Sequence, residues 1–285
     1  MSNNGTPVHQ HVKLTLARTL LKYKLHLAAA RIVRLIGSAE VVTFVQGRGN
    51  TGDRFIELGI RQLLRGRRVE EVNGAELGHN RGDIALLAGG GAWCEPWHGF
   101  MPDLLPRIEE RFSRVIVLPS SFDIAVPKVK AALSRTQATI FAREKISYRA
   151  ISAICSSTGL AHDCAFYAEI PRVGRPKFKL LNAFRTDRES LLLKTYSCLP
   201  KDNIDVSAVN GDVGQWLAVI GDYELIRTDR AHVMIAAALL GRRVEYYPSN
   251  YHKVDGIAEH SLKGFPVSRM GPNSISQALG ESDEA

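Results

Sequence analysis

From residue 41 onward, short β-branched apolar runs alternate with longer stretches in which apolar residues recur every three or four positions, the pattern of strand and helix units in succession. Val41-Val42-Thr43-Phe44-Val45 predicts a strand, and the run through Phe55, Leu58, Leu63 and Leu64 predicts the helix that follows it. Further strands are expected at 68–72, 83–88, 115–118, 139–142 and 164–168, with helices at about 102–112, 126–133 and 147–155 between them. Strands of this kind read as parallel and covered by helices on both faces. At 170–179 the alternation stops: Pro171, Gly174 and Pro176 stand among Arg172, Arg175, Lys177 and Lys179, a stiff polar stretch of the sort that joins domains. It then resumes in shorter form, with strands at 180–184, 223–227 and 244–247 and helices at 213–220 and 229–240. Residues 264–285 carry Gly264, Gly271, Pro272 and an acidic end, Glu281-Ser282-Asp283-Glu284, and read as a loose tail.

The expected class is therefore α/β: two Rossmann-like lobes whose parallel sheets face each other across a cleft. The N-terminal lobe occupies 39–170 and the C-terminal lobe 171–263, with a basic helical segment at 1–38 and the tail at 264–285.

Composition changes this picture little until charge is considered. With 285 residues, 45% hydrophobic and 23% charged, the chain is of ordinary globular type. Its four cysteines are scattered without CxxC or Cys/His ligand spacing, which predicts reduced thiols and no zinc site. No run approaches 18 apolar residues and no secretory-signal order is visible at the N-terminus, so a cytoplasmic location is expected. A net charge of +8 implies an anionic partner. Residues 1–39 contain no Asp or Glu but carry Lys13, Arg18, Lys22, Lys24, Arg31 and Arg34 among leucines and isoleucines. Such a segment either packs on the domain with its basic groups solvated or lies on an anionic membrane surface at the inner face of the cytoplasmic membrane. No nucleic-acid motif accompanies the charge.

Chemistry concentrates at junctions. Thr228-Asp229-Arg230-Ala231-His232 sits where the 223–227 strand gives way to a helix, and in a parallel sheet the ligand crevice lies at that end, with free helix N–H groups as an anion site. Arg230 adds a fork of donors and His232 a group titrating near neutrality. The plainer reading has Thr228 or Asp229 capping the helix and Arg230 as a surface charge. Gly47, Gly49 and Gly52 fit the G-x-G-x-x-G spacing, with Glu70 and Glu71 near the position of a ribose-binding acid; a Walker loop is excluded because no Gly-Lys-Ser/Thr follows. Asp53 is either a cap or a catalytic residue. Gly89, Gly90 and Gly91 close a strand and bring bare N–H groups to the crevice. Trp93 and Trp97 are sugar platforms or core anchors. Ser147 reads as a helix cap, Arg143 points to the same edge, and His162-Asp163 reads as structural.

Taken together, GNTGD at 49–53, the triglycine at 89–91, LPSSF at 118–122, FAREKIS at 141–147, HDCAF at 162–166, RTDRAHVMIAAALLGRRV at 227–244 and SNYHKVDGI at 249–257 resemble the polysaccharide pyruvyl transferase family. That resemblance implies a fold similar to GT-B glycosyltransferases, phosphoenolpyruvate as donor, and transfer of its pyruvyl carbons to a sugar as a ketal. Two departures stand out. The family's Arg-Leu-His or Arg-Phe-His is Arg230-Ala231-His232 here, and Ser120 replaces a glutamine.

For such a donor, residue type and position suggest the roles. Phosphoenolpyruvate carries about three negative charges near neutral pH, so its site needs cations and N–H donors, for which Arg230, Lys253 and the helix start at Asp229 are the candidates. His232 is expected as general acid or phosphate partner and Asp53 as base for the sugar hydroxyl. Arg143 and Arg185 are expected on the donor carboxylate. Asn50, Gly52, Gly90, Gly91, Trp93, Ser147 and His252 complete the expected substrate site, with no metal and no redox cofactor. The acceptor is expected to be a lipid-linked oligosaccharide or polysaccharide. A GT-B-type glycosyltransferase using a nucleotide-sugar and a non-catalytic carbohydrate-binding relative are the alternatives.

Overall fold

The computed structural model describes residues 7–279 other than Arg48, His79, Pro96, Val209 and Asn210, so the acidic end at 281–284 and the arginine of the glycine-rich loop lie outside the described residues. In chain order the elements are α1 (Pro7–Ile36), β1 (Val41–Gln46), α2 (Thr51–Leu63), β2 (Arg68–Asn73), β3 (Gly82–Leu87), β4 (Gly90–Trp93), α3 (Met101–Glu109), β5 (Phe112–Phe122), α4 (Pro127–Arg135), β6 (Thr139–Ala142), α5 (Lys145–Ser152) and β7 (Thr158–Leu160). They continue with β8 (Phe178–Asn182), α6 (Leu191–Tyr196), α7 (Val213–Gly221), β9 (Tyr223–Thr228), α8 (Ala231–Leu239), β10 (Arg243–Tyr246), α9 (Lys253–Ser261), β11 (Val267–Arg269) and α10 (Pro272–Leu279).

The elements build two parallel sheets, which makes the molecule mixed α/β with Rossmann-like, GT-B-like construction. The first runs β2-β1-β3-β5-β6-β7, and the second runs β11-β10-β9-β8. Val42, Phe44, Val45, Ile84, Leu86, Val117, Leu118, Ile140 and Phe141 are buried, as strands covered on both faces require. One apolar core runs continuously from the first sheet into the second, and Phe55 of α2 meets Trp216 of α7 with ring centroids 5.5 Å apart.

The triglycine is a backbone device. β4 carries on where β3 leaves off, alongside the same strand: Leu87 pairs with Val117 and Gly90 with Ser120 of β5. At Gly89 a side chain would lie 2.5 Å from the Pro119 carbonyl oxygen, and Gly90 has φ of +138°, so the kink admits no Cβ at the first position and favours glycine at the second.

Three expectations fail here. Residues 164–168 form a 3-10 turn instead of a strand, because the Asp163 carboxylate accepts the Ala165 N–H and curls the chain. The strand is the shorter Thr158–Leu160. The tail is ordered through Leu279: β11 pairs with β10, and Met270, Ile275 and Ala278 pack against Phe184, Leu192 and Tyr247. The cap of α5 is Glu144, whose carboxylate accepts the Ile146 and Ser147 N–H groups, and not Ser147. As for α1, Leu21, Leu25, Ile32 and Ile36 are buried, so one face of it packs on the protein.

Candidate active site

The carboxyl ends of β1, β4, β6, β8, β9 and β10 turn toward one cavity of about 550 Å³. From the first sheet come Asn50, Gly52, Asp53, Gly91 and Arg143; from the second come Arg185, Arg230, His232 and Lys253. Asp53 and His232 thus border the same space. Asp53 also closes a capping box: its Oδ2 accepts the Asn50 N–H at 3.0 Å while Asn50 Oδ1 accepts the Gly52 N–H at 2.8 Å. The cap and the cavity position are both realised, and Oδ1 lies on the Gly90 side. α8 begins with Arg230 as N-cap and no side-chain cap, which leaves the first N–H groups of a nine-residue helix at the cavity, where Ala231 and His232 line it.

Every cation in the cavity meets carboxylates. Arg230 takes Asp205 in a bidentate pair at 2.5 Å and reaches Asp187 at 3.3 Å. Arg185 grips Asp187 at 2.8 and 3.0 Å and Glu189 at 2.6 Å, and Lys253 bonds to the other oxygen of Glu189. Arg143 donates to Asp163 at 2.6 Å and to Ser121 Oγ at 2.8 Å. Its Nη2 lies near Gly91, beside the buried Tyr251 hydroxyl, which has no hydrogen-bond partner among the described residues. Burial, with Arg185 and Arg143 nearby, pulls the Lys253 ammonium well below the usual lysine range, and burial holds the Tyr251 phenol well above its own. Burial alone would raise the Asp163 carboxyl, but Arg143 and His232 hold it well below the usual carboxylate range. Its Oδ2 lies 3.5 Å from His232 Nε2, which has no hydrogen bond among the described residues.

A family model for polysaccharide pyruvyl transferase matches residues 50–244. The chain belongs to the polysaccharide pyruvyl transferase family. Membership carries a transferase role in pyruvyl transfer to polysaccharide, and the matched span contains Asn50 to His232 of the cavity while leaving out Tyr251, Lys253 and all of α1. Among solved structures, an uncharacterized protein from Klebsiella pneumoniae subsp. pneumoniae NTUH-K2044 superposes with a TM-score of 0.71 at 20% identity, covering 87% of this chain and 98% of that one, which speaks to the fold alone. No curated protein matches the sequence.

Several expected substrate residues stand outside the cavity. Trp93 is 1% exposed and packs on Phe122 at 5.5 Å between ring centroids, a core anchor. Trp97, 40% exposed, lines the cavity instead, its indole N–H donating to Glu189 at 2.7 Å. Ser147 is buried beneath the wall: its hydroxyl accepts the Phe122 N–H at 2.8 Å and meets His252 Nε2 at 3.0 Å. His252, also 3.2 Å from Glu144, ties the α9 start to α5 and so places its neighbours Tyr251 and Lys253 at the cavity. Gly90 shapes the kink without lining the cavity. Asp229 is buried behind it, accepting the Arg185 N–H at 2.8 Å through Oδ1. Arg230 is 6% exposed, not a surface charge, and truncating it would leave the Asp205 carboxylate with hydrogen bonds from Thr186 and Ser207 but without its cation. Sequence reasoning missed Tyr251, Asp187, Glu189 and Asp205. Tyr251 stands inside the quoted 249–257 motif, but nothing in spacing marks Asp187, Glu189 or Asp205 as counter-ions.

Proposed function

We propose that this chain transfers the pyruvyl group of phosphoenolpyruvate to a saccharide as a ketal, releasing phosphate, with a lipid-linked oligosaccharide or polysaccharide as acceptor. The observation that carries the proposal is the convergence of segments far apart in sequence on one cavity holding Asp53, His232, Arg143, Arg185, Arg230 and Lys253.

His232, beside Asp163, protonates the methylene carbon of the donor, making the adjacent carbon cationic. A sugar hydroxyl gives its proton to Asp53 and attacks that carbon; the bond to the phosphate oxygen breaks, and a second hydroxyl of the same sugar closes the ketal. Of the two hydroxyl protons lost, one ends on carbon and one on phosphate. Arg143 Nη2 and the unpartnered Tyr251 hydroxyl, both beside Gly91, take the donor carboxylate, and Arg185 fixes the carboxylates around it. Arg230, Lys253 and the open N-terminus of α8 take the phosphate. An arriving trianion offsets the repulsion and desolvation that lower Lys253 and strengthens its hold on the proton. Trp97 provides a flat wall for the acceptor sugar.

A ligand that binds only the folded state raises its melting temperature. Thermal shift of the full chain with phosphoenolpyruvate, compared with uridine and guanosine nucleotide-sugars, is expected to show a rise with phosphoenolpyruvate alone. A rise with a nucleotide-sugar and none with phosphoenolpyruvate would replace this reading by glycosyl transfer.

A further inference from the structure

The cavity occupies the carboxyl ends of the strands, and α1 crosses the molecule at their other end. Its hydrogen bonds include those with Thr158 at the start of β7, with Arg114 near the start of β5 and with Leu239 at the last turn of α8, and Tyr167, in the turn after β7, donates to the Leu25 carbonyl. While Leu21, Leu25, Ile32 and Ile36 are buried, the opposite side of the same helix is also apolar. Val12, Leu16, Leu20, Tyr23 and Leu27 are 50%, 64%, 53%, 61% and 52% exposed, and their spacing of three and four residues sets them in one line about 22 Å long. Nothing among the described residues covers that line.

Charge identifies its occupant. Lys13, Lys22, Lys24 and Arg34 are exposed, make no hydrogen bond or ion pair among the described residues, and flank or end the apolar line. No Asp or Glu occurs before Glu40, so pairing two copies through this face would set lysine against lysine with no acid to offset it. An anionic bilayer supplies both the apolar layer and the negative charge that such a face matches. We propose that α1 docks the protein on an anionic membrane surface, its apolar line entering the headgroup boundary and its basic flanks meeting lipid phosphates. No helix among the described residues is long and apolar enough to cross a membrane, so the contact lies in the interface plane. Since α1 is at the amino ends of the strands, docking leaves the cavity mouth unobstructed. This inference stands apart from the identity of the donor.

The test is co-sedimentation of the full chain with phosphatidylcholine vesicles containing or lacking about one third phosphatidylglycerol. The protein is expected to sediment with the anionic vesicles only and to be released by about 0.5 M salt. Leu16→Ser/Leu20→Ser/Tyr23→Ser should weaken partitioning at least about tenfold. Lys13→Gln/Lys24→Gln/Arg34→Gln should weaken it about a hundredfold, and it carries the test if the serine variant fails to fold. Equal sedimentation with neutral vesicles, no loss in either variant, or a concentration-dependent dimer dissolved by the serine variant without any vesicle binding would overturn the proposal.

Discussion

Asp229 is a carboxylate sealed behind the cavity: one oxygen accepts the Arg185 N–H, and the other is buried without a partner. Burial pushes its carboxyl up to about 6, against an ordinary value near 3.8, despite that N–H bond and two arginines. Between those values the folded state holds more protons than the unfolded one, so stability falls as the pH rises from about 4 to 6, and the penalty is complete above that window. Asp229→Asn is therefore expected to be more stable than wild type at pH 7.5 by about 2–3 kcal/mol, a gain absent at about pH 3.5, read from urea unfolding. A loss at pH 7.5 would mean that the charge itself is needed to hold Arg185 and Arg230. At this scale the sequence was legible where a residue type met a strand end: His232, Arg230 and Asp53 were readable because a polar residue closing an apolar run has few places to go. It was not legible for Trp93 and Trp97, four residues apart with the same side chain, one in the core and one at the cavity. Nor did it reveal Asp205 and Glu189, since a buried arginine or lysine needs counter-ions that irregular segments deliver from any distance along the chain.

At the scale of elements, the site depends on how closely the starts of α2 and α8 approach. A side chain at Gly52 would lie 2.7 Å from His232 Nδ1, so the second residue of α2 must be small for the imidazole to occupy its place. Alanine suits a helix start as well as glycine does, which separates the two effects. Gly52→Ala is expected to keep its melting temperature within about 2 °C while turnover falls about a hundredfold, the cost of displacing a catalytic group by about an ångström. Unchanged turnover would mean that His232 has room to shift without consequence. Most strands and long helices were legible from periodicity. The exceptions are physical: 164–168 has the apolar composition of a strand, but the Asp163 carboxylate curls it, and β11 and α10 draw their order from packing on Phe184 and Tyr247, which local polarity does not reveal.

The whole molecule is held as two parallel sheets with a shared core, bridged by Phe55 against Trp216, by Arg54 bonding the Gly211 carbonyl and by α1 along the far end. That arrangement converts strand ends from both sheets into one polyionic cavity, in a chain of the polysaccharide pyruvyl transferase family. The expectation that the basic segment would pack on the protein or meet a membrane resolves into two faces of one helix, the first packed and the second exposed. We propose that the cavity transfers pyruvyl from phosphoenolpyruvate. The most direct measurement incubates the protein with phosphoenolpyruvate and extracted lipid-linked saccharides, following released phosphate and the ketal methyl signal by NMR. The expected result is acceptor-dependent phosphate release matched by one ketal methyl per phosphate, falling at least about a hundredfold in His232→Ala without loss of folding. Phosphate release with no ketal signal, or full activity in His232→Ala, would contradict the account.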